Sequence, residues 1–207
     1  MESEALREFI RGERKRRYYD PNGHFLLEEE MEQIGRHLDS LTGSIGAEDM
    51  LVYYPTASEL RLMPWYESRI GKIALYFPKT GRSSLSFYRA RSLRRENFVR
   101  GRMGIWEPRD TGEAYREGVP TIAIVPGLVF SKGMGRIGYG GGYYDGFLAT
   151  HPTVIKLGVC YEFQLFENMD GVNPEKDILP QHDRDVPMDY VITEKNIYFG
   201  KDKDGQL

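Results

Sequence analysis

Apolar residues in the first forty positions recur at helical spacing. Leu6, Phe9 and Ile10 share one side of a helix that the turn-forming run Asp20-Pro21-Asn22-Gly23 brings to a stop. A second stripe, Leu27, Met31, Ile34, Leu38 and Leu41, repeats every four or three residues. Glu28, Glu29 and Glu30 open it, where the helix dipole favours acids, so this is a helix with a core-facing side. Beyond Gly46 the period shortens. Strand-length runs rich in Val, Ile, Tyr or Phe occupy 50–54, 73–77, 85–88, 121–125, 154–159 and 190–192. The run Thr121-Ile122-Ala123-Ile124-Val125 has almost no polar alternation, which predicts a strand buried on both faces of a parallel sheet. Helical segments are expected between strands at 57–70, kinked or divided at Pro64, at 143–150 and at 164–169. Alternation of the two element types predicts an α/β fold: three layers, a mainly parallel sheet flanked by helices.

Composition narrows this picture. At 207 residues the chain is long enough to bury about 70% of its unfolded surface, and one domain over 1–207 is expected. A formal net charge of −3 argues against a general nucleic-acid binder or a protein held on an anionic membrane. The charged amino terminus does not read as a signal peptide, and no apolar run approaches the ~18 residues of a membrane span, so a cytoplasmic protein is expected. Cys160 has no partner for an internal disulfide and is expected as a buried thiol. The charged tail from Gly200 onward is expected to fray.

Candidate chemistry concentrates between Ile124 and His151. A buried strand ends at Pro126-Gly127, and Gly138, Gly140, Gly141 and Gly142 then lead into a helix near Tyr143. Such glycines let backbone N–H groups approach a phosphate, with Arg136 and Lys132 as charged donors. They also serve a tight turn or a close strand–helix contact. Two features favour the phosphate-binding loop: its place after a buried strand of an α/β sheet, and Asp145, a hard oxygen ligand suited to Mg2+. Asp183, Asp185 and Asp189 form a second acidic group, in which any single Asp can be a turn former.

Taken together, these segments resemble the 5-formyltetrahydrofolate cyclo-ligase family, also called 5,10-methenyltetrahydrofolate synthetases. The resemblance rests on Val125-Pro126-Gly127, on Arg136-Ile137-Gly138-Tyr139-Gly140-Gly141-Gly142-Tyr143-Tyr144-Asp145, on the segment Gly158 to Gln164, and on Asp185-Val186-Pro187-Met188-Asp189. It implies ATP- and Mg2+-dependent closure of 5-formyltetrahydrofolate to 5,10-methenyltetrahydrofolate, with ADP and phosphate released. ATP would phosphorylate the formyl oxygen, N10 would attack the activated carbon, and phosphate would leave as the ring closes. By the same resemblance Arg136 and Tyr143 are catalytic. Arg7, Arg136, Gly138, Tyr139, Gly140, Gly141, Gly142, Tyr143 and Tyr144 contact ATP. Tyr54, Glu59 and the segment from Tyr139 to Tyr143 contact the folate, whose ring N–H groups a carboxylate can accept in pairs. Asp145 and Asp185 hold the metal, with Asp183 an alternative to Asp185. Ser3 stands where the family often has a lysine, and Arg184-Asp185 where it has His-Asp. A non-catalytic or differently specific nucleotide-binding member of the same fold is the alternative reading.

Overall fold

The first two helices follow the apolar spacing closely. The computed structural model describes residues 2–56, 59–102, 104–173 and 177–200. Helix α1 (Ser3–Tyr18) buries Leu6, Ile10, Arg14 and Tyr18, one residue per turn, while Phe9 is only partly covered. Helix α2 (Glu28–Ile45) buries Ile34, Leu38, Leu41 and Thr42 and ends at Gly46 in the left-handed conformation. At that φ of 68° a side chain would be strained, and the Gly46 N–H closes on the carbonyls of Thr42 and Gly43.

Strand β1 (Asp49–Leu51) is followed by α3 (Met63–Arg69), β2 (Ala74–Thr80) and β3 (Leu85–Arg89). Next come β4 (Phe98–Arg100), β5 (Trp106–Pro108), β6 (Thr121–Val125), β7 (Val129–Phe130) and β8 (Arg136–Ile137). Helix α4 (Tyr143–Ala149), β9 (Ile155–Val159), β10 (Tyr190–Ile192) and β11 (Ile197–Phe199) complete the order. The main sheet has seven strands in the order β11-β10-β9-β6-β1-β2-β3. Its central pairings are parallel, and only the edge strands β11 and β3 run antiparallel. The predicted mainly parallel, three-layer architecture is therefore present.

Alternation along each strand divides the core between the two faces. Ile122 and Ile124 of β6 pack with Ile34, Leu38 and Leu41 of α2 and with Trp65 and Tyr66 of α3. Ala123 and Val125 point the other way, to Phe147 and Leu148 of α4 and to Phe130 of β7. A third cluster seats Leu6 and Ile10 of α1 on Leu128, Val129 and Ile137. Every residue of β6 is buried, as its uninterrupted apolar run requires.

Three local expectations change. The helix expected at 57–70 begins at Met63, with Pro64 in its first turn, where the missing N–H breaks no bond, so the proline starts the helix instead of kinking it. Residues 57 and 58 lie outside the described residues, as does the tail from 201 onward. The segment expected as a helix at 164–169 forms two short 3-10 turns, Glu162–Gln164 and Phe166–Asn168. The run at 50–54 leaves the ladder after Leu51, which frees the following tyrosines for the cavity described next.

Candidate active site

Strands β1 and β6 lie side by side, yet their parallel neighbours on the far sides differ: β1 pairs with β2 and β6 with β9. Connections thus leave in opposite directions, which opens a crevice at the carboxyl ends of the two central strands, where open α/β sheets bind ligands. A cavity of about 530 Å3 sits there. Its walls come from Tyr53 and Tyr54 beyond β1, Pro126 beyond β6, the segment from Arg136 to Asp145, and Arg7 from α1. Ile105 and Glu107, from the β4–β5 hairpin, close another side.

The glycine segment turns sharply between β8 and α4. Gly140 has φ 96° and Gly142, which precedes α4, has φ 65°, both in the region that side chains avoid. A Cβ on Gly138 would lie 2.6 Å from Arg136 Nη1, so this position is glycine for want of space. The Arg7 Nε–H donates to the Gly138 carbonyl at 2.9 Å, which ties α1 to the segment.

Arg136 is 7% exposed and spans the floor. Its Nη1 donates to the Pro126 carbonyl at 3.1 Å and its Nη2 to Asp145 Oδ1 at 2.6 Å. Its Nε is buried with no hydrogen-bond partner among the described residues. The Val186 N–H also donates to Asp145 Oδ1, at 3.2 Å, so Asp145 joins the glycine segment to the acidic loop. In that loop Asp185 borders the cavity and its Oδ2 accepts the His182 N–H at 2.8 Å. Asp183 is exposed and is not part of the wall, while Asp189 pairs with Lys156 at 2.8 Å beside the start of β10. Lys132 does not reach the cavity: its Nζ lies over the Tyr198 ring, 5.4 Å from the centroid.

Glu59 is 7% exposed, and its Oε2 accepts the Thr56 N–H at 2.8 Å. The Tyr139 ring has an open edge, but its hydroxyl is tucked inward and accepts from Arg14 Nη1 at 2.9 Å. Burial, with Glu59 adding to it, holds that hydroxyl well above the ordinary tyrosine pKa. Burial does the same to Tyr144, whose hydroxyl has no hydrogen-bond partner among the described residues. The cavity therefore brings tyrosine hydroxyls, the buried Arg136, the half-buried Arg7 and the carboxylates of Glu59, Glu107, Asp145 and Asp185 to one place.

The residues assigned above to ATP, folate or metal, Arg7, Tyr54, Glu59, Arg136, Gly138 to Tyr144, Asp145 and Asp185, border this one cavity, whereas Asp183, the alternative metal ligand, does not. Sequence reasoning passed over Tyr53, Thr56, Glu107 and Arg14. Arg14 had a signal, since it stands four residues after Ile10 and four before Tyr18 in the buried stripe. Glu107 had none, because its place depends on the β4–β5 hairpin. Among the described residues no three His, Cys, Asp or Glu side chains come together, and no helix is long and apolar enough to cross a membrane.

Residues 1–194 match the 5-formyltetrahydrofolate cyclo-ligase family along their length. The chain belongs to that family. A probable 5-formyltetrahydrofolate cyclo-ligase of Schizosaccharomyces pombe is 26% identical over 116 residues, 49% of this chain and 52% of that protein. A 5-formyltetrahydrofolate cyclo-ligase of Mycoplasma genitalium is 46% identical over 45 residues, 21% of this chain and 27% of that protein. These matches span about half or less of the curated relatives' length. The fold matches the solution structure of a 5,10-methenyltetrahydrofolate synthetase from Aquifex aeolicus with a TM-score of 0.75 and 28% identity. That match covers 97% of this chain and 94% of the other. A synthetase from Mycoplasma pneumoniae, 21% identical, shares the fold with a TM-score of 0.64 over 94% of this chain and 99% of its own. The cyclo-ligase fold thus accounts for 97% of this chain.

Proposed function

We propose that this cyclo-ligase family member closes 5-formyltetrahydrofolate to 5,10-methenyltetrahydrofolate at the expense of ATP, releasing ADP and phosphate. The observation that carries this reading is the convergence, on one cavity, of the 136–145 motif, Arg7 of α1, and Tyr54, Thr56 and Glu59. A volume of about 530 Å3 falls within the usual range for small-molecule sites.

Within that reading, Gly138 to Gly142 present backbone N–H groups to the nucleotide phosphates. Arg7 and Arg136 supply charge where negative charge develops during phosphoryl transfer. Tyr143 and Tyr144 stand beside them, and Tyr54 and Glu59 receive the pterin. Buried donors and acceptors in a site closed to bulk water act more strongly than they would in solution.

The donor set suits Mg2+. That ion is commonly held by one or two carboxylates together with substrate phosphates, and Asp145 and Asp185 are two hard oxygen ligands on the same wall. Both recorded bonds of Asp145 fall on Oδ1, so Oδ2 retains lone pairs for a cation. When bound there, Mg2+ would neutralise phosphate charge. A single cysteine, buried and reduced, suits the cytoplasm, the compartment we propose.

The test is to mix purified protein with 5-formyltetrahydrofolate, ATP and Mg2+ and follow the near-ultraviolet absorbance of the methenyl product. ADP should accumulate in step with it. If absorbance rises no faster than in a control without ATP, the proposed activity is wrong.

A further inference from the structure

Glu107 is the most deeply buried carboxylate on the cavity wall, 4% exposed against 7% for Glu59, and none of the motifs above gives it a role. A carboxylate kept from water needs a cation or several N–H donors to compensate it. One bond reaches it among the described residues: the Thr80 N–H, at the end of β2, donates to Oε1 at 3.0 Å. Oε2 keeps its lone pairs, beside the cavity that Glu107 borders. Arginine is plentiful nearby, yet those with recorded partners are engaged elsewhere. Arg89 and Arg91 hold Glu113, Arg95 and Arg100 lie over the Trp106 ring, and the Arg109 Nε–H donates to the Glu96 carbonyl.

The hairpin backbone makes room for this carboxylate. Gly101 closes the β4–β5 turn with its N–H on the Ile105 carbonyl, and its φ is not positive, so no conformational demand calls for glycine there. Space does. A Cβ on Gly101 would overlap Glu107 Cδ and both carboxylate oxygens. The other wall residues from β2, β3 and the hairpin, Pro78, Thr80, Leu85 and Ile105, are uncharged, whereas Arg7 and Arg136 stand with the glycine segment. An anionic acceptor without a counter-charge repels phosphate and attracts N–H donors.

We propose that Glu107 is a binding residue for the formylated folate, its Oε2 accepting an N–H group of the reduced pterin. The ligand named here rests on the activity proposed above; the unfilled acceptor rests on the geometry. Were Glu107 only a strut between β2 and the hairpin, an uncharged acceptor of the same length would serve equally well. Glu107→Gln is that acceptor: it keeps an oxygen for the Thr80 N–H and sets an NH2 in place of Oε2.

The variants are Glu107→Gln and Gly101→Ala, the second leaving the carboxylate intact but displacing it. For each, the KM is measured separately for 5-formyltetrahydrofolate and for ATP, together with the melting temperature without ligand and with either ligand alone. Glu107→Gln should raise the folate KM roughly tenfold or more, the loss of one hydrogen bond to a charged group. The ATP KM should stay within about twofold, and the ligand-free protein should melt no more than about 3 °C below wild type. Gly101→Ala should raise the folate KM in the same direction. An unchanged folate KM in Glu107→Gln leaves only the strut and overturns the proposal. An ATP KM that rises as much or more also overturns it, by giving the acceptor to the nucleotide. Should Glu107→Gln fail to fold, Gly101→Ala decides by the same two KM values. A wild-type protein without any folate-induced melting shift would sink the substrate reading and this proposal together, whereas a wild-type shift preserved in Glu107→Gln sinks the proposal alone.

Discussion

Replacing Asp145 by Asn separates two jobs that one carboxylate holds in this fold. Asp145 is the ion-pair partner of Arg136, with side-chain exposures of 19% and 5%. Leaving a buried arginine without its counter-charge costs about 3–5 kcal/mol. Asparagine still offers an oxygen to the Val186 N–H, and Asp145 is partly exposed, so the low end, about 3 kcal/mol, is expected. For a chain of this size that corresponds to a fall in Tm of roughly 6–12 °C without any ligand. A metal-binding role alone would leave the ligand-free melting temperature near wild type and show only as lost turnover at limiting Mg2+. Melting curves without nucleotide, beside an Mg2+ titration of activity, therefore read the two jobs independently. The double variant Arg136→Met/Asp145→Leu removes both charges and should melt closer to wild type than Asp145→Asn. An Asp145→Asn protein that melts within about 2 °C of wild type would refute the ion-pair argument.

Other expectations follow from single features of the structure. Gly142→Ala should lower stability by about 1–2 kcal/mol through its φ of 65° alone, since an added Cβ meets nothing within 4 Å, and Gly142→Asn should cost less; equal melting of both variants and wild type would contradict this. Cys160 is fully buried, and burial pushes its thiol well above the ordinary range, so a thiol reagent at neutral pH should label it only after denaturant is added. Burial raises the hydroxyls of Tyr53, Tyr66 and Tyr144 above the ordinary value of 10.0. The folded state then holds these protons more tightly than the unfolded chain, so their contribution to stability is complete below that ordinary value and is lost as pH rises above it. Urea midpoints measured from about pH 8 to 11 should be level and then fall, and a midpoint still level at the alkaline end would count against the buried tyrosines.

The sequence by itself determined the elements whose signal is local. The four-residue repeat in α2, the acids in its first turn and the glycine at its end sit within one segment, and each is satisfied by its near neighbours. The same holds for β6, whose five apolar residues require burial on both faces, and for the motif from Arg136 to Asp145, where order and spacing carry the family resemblance. Tertiary structure decided everything that depends on distant partners. The edge strand β11 and the β4–β5 hairpin are only three residues per strand, too short for a period to show, and exist through pairing. Pro64 can end or begin a helix, and packing of Trp65 and Tyr66 against the sheet selects the beginning. Arg14 and Tyr139 are 125 residues apart and meet only because α1 lies across the end of β6, while the chain beyond β1 brings Tyr54 and Glu59 into the same crevice. A one-dimensional pattern records what each residue prefers, but the compensation of a buried charge is a property of neighbours that only folding supplies.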